Sequence, residues 1–386
     1  GFSLDEAEQL RRIVGKKKVD QMPAWKKKIE DKITEKKLDK KVGEILWKVA
    51  EDSANYSFNK SHSISYATLA AWTAYLKFKH PQQFFLSLLK MTKYEPSPQE
   101  EINKICQELP HFNIKLLSPD LGKSKMDFSI EGANIRFGLN SIKGISEKSL
   151  QALKDFRDSE APNKYDIFIA AKQAGLNIGV VSALIQAGAL SGYKSNRPRL
   201  VLEAQVFNLL TDREKRNFIE LGEEYEYDIL NSIHVALKDQ TIGDDGRAII
   251  TEKRFGTLKK KYTPYKNIYD KAKRYEDFAN WYFEKNLLGF SYSNELKNVF
   301  GTQSESLSNS LYFFSSEKND RGKYIGVVED SFKRKSKNGN DYLKMIVSDE
   351  FGRYNCLMVD GRTKSLQKYL DKNKKIPEKN NIVVVY

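Results

Sequence analysis

The chain has 386 residues, a formal net charge of +14, and 40% hydrophobic and 12% aromatic residues. That length exceeds one ordinary core, and the aromatic content excludes a wholly disordered chain. Cys106 and Cys356 cannot build a disulfide framework, no apolar run approaches the roughly 20 residues of a membrane helix, and Asp5, Glu6 and Glu8 do not suit a secretory signal, so a reducing cytoplasmic setting fits best.

Residues 1–50 read as helices: Pro23 suits a first turn, and Trp25, Ile29, Ile33 and Leu38 recur at helical spacing among lysines. A polar stretch, Asn55-Tyr56-Ser57-Phe58-Asn59-Lys60-Ser61-His62-Ser63, leads into an apolar helix over 64–78. There Ala67, Ala70, Ala71 and Ala74 leave room for close packing, with Leu69, Trp72 and Leu76 as larger fillers. His80-Pro81 starts another helix, with Phe84, Phe85, Leu88 and Leu89 in one stripe. Residues 94–130, with four prolines, read as a linker with short elements; 135–192 as two short helix pairs with glycine-containing turns; and 197–240 as helix. Residues 241–275 carry Gly243, Gly246 and Gly256 amid lysines and are expected to form a mobile or strand-like excursion. A helix over 275–288 and a Ser/Asn-rich linker over 301–320 follow.

The character then changes to strands: 324–330, 341–348 after the turn signal Lys337-Asn338-Gly339-Asn340, 354–359, and 381–386 after a helical run near 364–371. The expected architecture is multidomain, mostly α, followed by a small five-stranded β-barrel of the oligonucleotide-binding (OB) type, with a final element in question. Divisions are expected at 1–93, 94–134, 135–240, 241–320 and 321–386.

The positive charge is local. Residues 11–41 hold 13 Lys/Arg against 5 Asp/Glu, residues 253–274 hold 9 against 1, and residues 331–344 hold 5 against 1. Such patches point to a polyanion, nucleic acid first, with a merely solvated lysine face as the alternative. The four histidines have no partner at metal-ligand spacing, and no Walker-type or Gly-x-Gly-x-x-Gly phosphate loop is present. Acidic pairs at Asp244-Asp245 and Glu223-Glu224 read as surface charge rather than as holders of a metal pair, so no catalytic or metal-binding residue is expected in this chain.

Anion-binding features are plentiful by contrast. Arg11, Arg12, Lys16, Lys17 and Lys18 surround Gly15 near a helix end, and Asn59, Lys60 and His62 with two serines precede a helix, where free N–H groups attract phosphate. An ordinary N-cap is the rival reading of the second group. Lys143, Gly144, Ser146 and Lys148 lie in a helix–turn–helix stretch able to grip a DNA phosphate without reading bases, or else form a plain helical hairpin. In the barrel, Lys333, Arg334, Lys335 and Lys337 with Phe332 and Tyr342 offer cations for phosphates and rings for bases, the rival being a core aromatic pair beside a solvated hairpin.

Phe58-Asn59-Lys60-Ser61-His62-Ser63-Ile64-Ser65-Tyr66-Ala67, continuing to Thr73-Ala74-Tyr75-Leu76-Lys77 and Pro81, closely resembles the fingers signature of the C-family bacterial replicative DNA polymerases, the DNA polymerase III alpha subunits. The stretch from Leu10 through Gly15 to Lys18 looks like the same fingers. Ile135-Arg136-Phe137-Gly138-Leu139, Ile142-Lys143-Gly144-Ile145 and Ala183-Leu184-Ile185-Gln186-Ala187-Gly188-Ala189-Leu190, followed by Asn196-Arg197, resemble the family's tandem helix-hairpin-helix domain. Leu287-Leu288-Gly289-Phe290 with Tyr292-Ser293 resembles the helix leading to its OB domain. Two departures stand out: Ser146 replaces a turn glycine, and the lysine-rich 241–274 has no counterpart.

The resemblance implies a DNA-directed DNA polymerase portion, a nucleotidyltransferase that uses Mg2+ bound by a palm absent from this sequence. The chain alone is expected to be inactive, being either a cut polypeptide or one piece of a split, phage-like polymerase. It implies nucleotide triphosphate contacts from Arg11, Arg12, Lys16, Asn59, Lys60 and His62, and DNA contacts that include Arg197. Implied partners are a palm/thumb polypeptide, primer-template DNA, an incoming dNTP and a sliding clamp. The one clamp-peptide candidate, Gln205-Val206-Phe207-Asn208-Leu209-Leu210, reads as helix. Location in the cytoplasm, at the nucleoid or in an infected bacterial cell, follows. Rival functions are a non-enzymatic DNA-binding accessory protein and an RNA-binding translation factor.

Overall fold

A computed structural model describes residues 1–386 apart from 17, 56–59, 160, 162, 191–195, 301–306, 316, 318–320, 338, 360–363 and 386. It divides into two units, Gly1–His80 and Pro81–Tyr386.

Among the described residues the first unit holds four α-helices: α1 (Leu4–Gly15), α2 (Met22–Glu35), α3 (Lys40–Asn55) and α4 (Lys60–Lys79). A capping box starts α1, with the Glu6 N–H donating to Ser3 Oγ at 3.2 Å and the Ser3 N–H donating to Glu6 Oε2 at 2.9 Å. Met22, Trp25, Ile29 and Ile33, spaced three and four apart, form the buried stripe of α2. The close packing expected of 64–78 is not met among the described residues. Tyr66, Leu69, Trp72 and Tyr75 of α4 are all exposed, at 57–64%. The physical reason is the distribution of its apolar residues around the whole helix, so that no single face directs it onto a neighbour.

The second unit opens with α5 (Pro81–Met91) and α6 (Pro98–Glu108), then a small sheet of β1 (Leu116–Leu117), β2 (Ser129–Glu131) and β3 (Asn134–Arg136) in the order β1-β3-β2. Helices α7 (Leu150–Arg157), α8 (Lys164–Gln173), α9 (Ile178–Gln186), α10 (Arg197–Asn208), α11 (Asp212–Glu220) and α12 (Ile229–Lys238) follow. They share one core in which Phe85, Phe137, Phe156, Tyr165, Phe207 and Phe218 are buried. The candidate clamp peptide lies inside it: Val206, Phe207 and Leu210 are buried.

Next comes α13 (Glu252–Ala272), a regular helix where a mobile or strand-like excursion is expected from the glycines and lysines. Leu258 and Tyr262 are buried, with Phe255 packed against the same core, and this inner stripe overrides the weak helix propensity of Gly256. Pro264 sits on the exposed side of α13. Within the preceding segment, Ile242 and Ala248 form one antiparallel bridge.

α14 (Glu276–Leu288) and the short α15 (Leu296–Val299) and α16 (Ser310–Ser315) lead into β4 (Tyr324–Lys335), β5 (Asp341–Ser348), β6 (Arg353–Val359), α17 (Ser365–Asn373) and β7 (Ile382–Val385). The strands pair antiparallel in the order β6-β5-β4-β7, a curled half-barrel of OB type with four strands among the described residues. Tyr324, Val328, Leu343, Met345, Val347 and Tyr354 fill its inner face. Ile325 and Val327 point the other way, onto Trp281 of α14 and Leu296 of α15. A β-bulge at Glu329 interrupts the register between Val328 and Asp330.

Candidate nucleic-acid interface

In the first unit, Arg11 and Arg12 come together on one carboxylate. Arg11 Nε donates to Glu8 Oε2 at 2.7 Å and Arg12 Nε to Glu8 Oε1 at 2.9 Å. The two guanidiniums draw the Glu8 carboxyl down to about 2. Both arginine side chains stay about two-thirds exposed, at 70% and 66%. Lys16 follows as an exposed residue at the C-terminus of α1. Lys60 is the first residue of α4, and the exposed His62 ring lies 4.7 Å from that of Tyr66. Asn59 lies outside the described residues.

In the second unit, the turn before α7 is pinned from inside and open outside. Ile142 and Ile145 are buried, while Lys143, Gly144, Ser146, Glu147 and Lys148 are exposed. Gly144 has φ +95°, a left-handed conformation that a side chain would strain. The Lys143 N–H is used internally, donating to Leu287 O at 3.0 Å. Those of Gly144 and Ser146 make no hydrogen bond among the described residues. The tip therefore combines two open N–H groups with the ammonium groups of Lys143 and Lys148, alongside one carboxylate, Glu147. Ser146, in extended conformation at φ −96°, needs no glycine.

A second turn of similar build joins α8 to α9, and sequence reasoning noted its glycine without assigning residues to a site. Gly175 has φ +84°, Leu176 is buried, and Asn177 Oδ1 caps α9 by accepting the Val180 N–H at 3.0 Å. The missed signal is the Gly-x-Asn spacing, a left-handed C-terminus followed at once by an N-cap.

Arg197 is placed differently from the tip lysines. Its Nη1 donates to Glu284 Oε1 at 2.6 Å and its Nη2 to the Tyr292 hydroxyl at 2.8 Å. Glu284 is fully buried and also accepts the N–H groups of Tyr292 and Ser293 at 2.8 and 3.0 Å. Burial pushes the Tyr292 hydroxyl up to about 12. This guanidinium thus joins α10 to α14 inside the protein.

The strand register divides the barrel candidates between two faces. Phe332 pairs with Lys344 and Arg334 with Tyr342, whereas Lys333 pairs with the core residue Leu343 and Lys335 with Asp341. Phe332, Arg334 and Tyr342 therefore share one face with Lys344, a residue that strand alternation could have found. Arg334 lies 4.6 Å and Lys344 5.8 Å from the Phe332 ring centroid. Lys333, on the opposite face, pairs with Asp341 at 2.7 Å, and Lys337 is exposed in the hairpin turn.

Among the described residues no group of three or more His, Cys, Asp or Glu side chains is placed to hold a metal ion. Nor is any helix among them long and apolar enough to cross a membrane.

Residues 113–200 match a helix-hairpin-helix motif. Over 204 residues, 52% of this chain, the sequence is 37% identical to a DNA polymerase III subunit alpha of Aquifex aeolicus, covering 17% of that protein. It is 30% identical over 203 residues to a protein of the same name from Thermus aquaticus, covering 52% of this chain and 16% of that one. The counterpart from Campylobacter jejuni is 26% identical over 386 aligned positions, reaching 97% of this chain and 29% of its own length. The chain thus spans between 16% and 29% of these relatives. Along nearly its whole length the chain is homologous to part of the DNA polymerase III alpha subunits.

Proposed function

We propose that this chain is the DNA-binding and nucleotide-binding portion of a replicative DNA polymerase, acting in template-directed DNA synthesis in the cytoplasm. The observation that carries the reading is the alignment to an alpha subunit across 97% of the chain. The exposed hairpin tip at Lys143, Gly144, Ser146 and Lys148 supports it, because two open N–H groups and two ammonium groups on a rigid turn suit a phosphate of either strand. Phe332, Arg334, Tyr342 and Lys344 supply rings and cations on one face of the half-barrel, a combination suited to single-stranded template.

A palm-bearing polypeptide, joined to this chain or supplied in trans, would hold the Mg2+, which would supply charge stabilisation to the transferring phosphoryl group. The part left to this chain is to hold and orient. Arg11 and Arg12 exchange Glu8 for the triphosphate of the incoming nucleotide, each guanidinium able to make two parallel bonds to phosphate oxygens. Lys16, Asn59, Lys60 and His62 complete the clamp, and Lys60 and His62 lie at a helix N-terminus. Such contacts fix the leaving group for in-line attack and offset charge that develops there.

Primer extension tests the reading. The purified chain mixed with a palm-bearing polypeptide should extend a primer, and neither should do so alone. Duplex binding by the chain without any such restored extension would favour a non-enzymatic accessory protein instead.

A further inference from the structure

The basic helix α13 belongs to neither the hairpin tip nor the half-barrel face. Its inner side is fixed: Leu258 and Tyr262 are buried, and Arg254 donates to Glu214 Oε1 and Oε2 at 2.7 and 2.8 Å and to Leu209 O at 3.0 Å. On the opposite side Lys253, Lys260 and Lys271 are all exposed. At about 100° per residue, separations of seven and eleven bring these three to within roughly 20° of one line. At 1.5 Å per residue the line is about 27 Å long, the rise of roughly eight base pairs of duplex DNA.

Among the described residues none of Lys253, Lys260, Lys261 and Lys271 forms an ion pair. Asp270, the only acid on the helix after Glu252, is taken by Lys266 at 2.5 Å and Lys273 at 3.8 Å. Ile268 lies exposed on the flank of the stripe.

We infer that the outer face of α13 is a DNA-backbone contact, in which Lys253, Lys260 and Lys271 neutralise successive phosphates along one groove edge of duplex DNA. It is separate from the hairpin tip and the half-barrel face, and it rests on the reading of this chain as a DNA-binding portion. The helix is held rigidly by its buried face, so docking it orders little backbone. The contact is with phosphates alone, so it confers affinity and register without sequence preference.

The test is anisotropy with the full chain and a labelled 30-base-pair duplex, across a salt series. Three proteins are compared: wild type, Lys253→Gln/Lys260→Gln/Lys271→Gln, and a charge-matched control, Lys368→Gln/Lys372→Gln/Lys379→Gln. The control residues are exposed near the C-terminal strand. Each lysine–phosphate pair contributes about 0.9 to the log–log salt slope, so removing three should make the slope of the α13 variant shallower by about 2–3. Its affinity near 100 mM salt should fall at least tenfold, while the control stays within twofold of wild type. Helix content by circular dichroism should match in all three, since the changed side chains are exposed. Equal losses in both variants mean that net charge alone acts, and overturn the proposal. So does an α13 variant that binds like wild type, an outcome that leaves the DNA-binding reading standing. A wild-type chain that binds no duplex at all overturns that reading, and this proposal with it.

Discussion

The hairpin tip before α7 and the junction between α14 and the half-barrel treat charge in opposite ways. At the tip, Lys143 and Lys148 face solvent with no carboxylate paired to them among the described residues. At the junction, charged groups face inward and answer one another. Glu350 accepts the Trp281 indole N–H at 2.8 Å and the Leu296 N–H at 3.1 Å, while Asp349 accepts the Ser310 N–H and hydroxyl. Lys285 donates to Ser348 and lies 3.8 Å from Glu329, the bulge residue of β4, which also meets Arg353. Four arginines of α10, α11 and α13 also answer acids: Arg197 meets Glu284, Arg199 meets Asp228, Arg213 meets Asp245 and Arg254 meets Glu214, whereas Arg216 of α11 is exposed. The contrast teaches that net charge is a poor guide to a binding surface. What matters is which cations the fold leaves without acids, and here those are mostly lysines, whose strongly hydrated ammonium groups favour the outside.

The largest effect is expected inside. Arg197→Ala leaves the buried Glu284 without its cation and should lower unfolding free energy by about 3–5 kcal/mol in a denaturant titration. Adding Glu284→Gln should recover part of that loss. If Arg197→Ala instead keeps wild-type stability and loses only DNA affinity, the inward reading of this residue is wrong.

Glu350 provides the next effect. Burial, with Asp349 beside it, pushes its carboxyl up to about 7 from the ordinary 4.5, and its Oε1 has no hydrogen-bond partner. Between those pH values the folded chain keeps a proton that the unfolded chain has lost. Stability therefore falls as pH rises through that window and levels off above it. Lys285, Glu329, Asp349 and Arg353 also face this junction, so the comparison is made against Glu350→Gln, which retains an oxygen for Trp281 and Leu296. The wild-type minus variant difference should drop by on the order of 2 kcal/mol from pH 5 to pH 7. A difference that stays flat would mean that Glu350 titrates normally.

Outward groups should behave in the reverse manner, with function changed and stability kept. In a polymerase restored with its palm, Arg12→Ala should slow single-nucleotide incorporation about tenfold, with a melting temperature close to wild type. An unchanged rate would limit Arg12 to its pairing with Glu8. Lys143→Glu should weaken duplex binding by about 1 kcal/mol, equally across sequences, at wild-type stability. Strong sequence dependence of that loss would count against a phosphate contact.

Local patterns in the sequence carried much of this. The Lys337-Asn338-Gly339-Asn340 signal and the alternation of Leu343, Met345 and Val347 specify the β4–β5 hairpin, and Ile142-Lys143-Gly144-Ile145 specifies a pinned turn. What stayed hidden depends on distant partners. The role of Arg197 is set by Glu284, 87 positions away in the chain. The helicity of α13 is set by the core that receives Leu258 and Tyr262, which outweighs Gly256 and Pro264. The all-round apolar character of α4 was legible as composition, but composition does not say which surface covers Trp72 or Tyr75.

The central claim, that this chain supplies the DNA and nucleotide contacts of a polymerase, is tested most directly by single-nucleotide incorporation at a fixed concentration of palm-bearing polypeptide while this chain is titrated in. The account predicts a rate that rises from near zero and saturates as the chain is added, with Arg12→Ala saturating at about one-tenth of that rate. A rate indifferent to the chain, or full incorporation by the chain without the palm polypeptide, would contradict it.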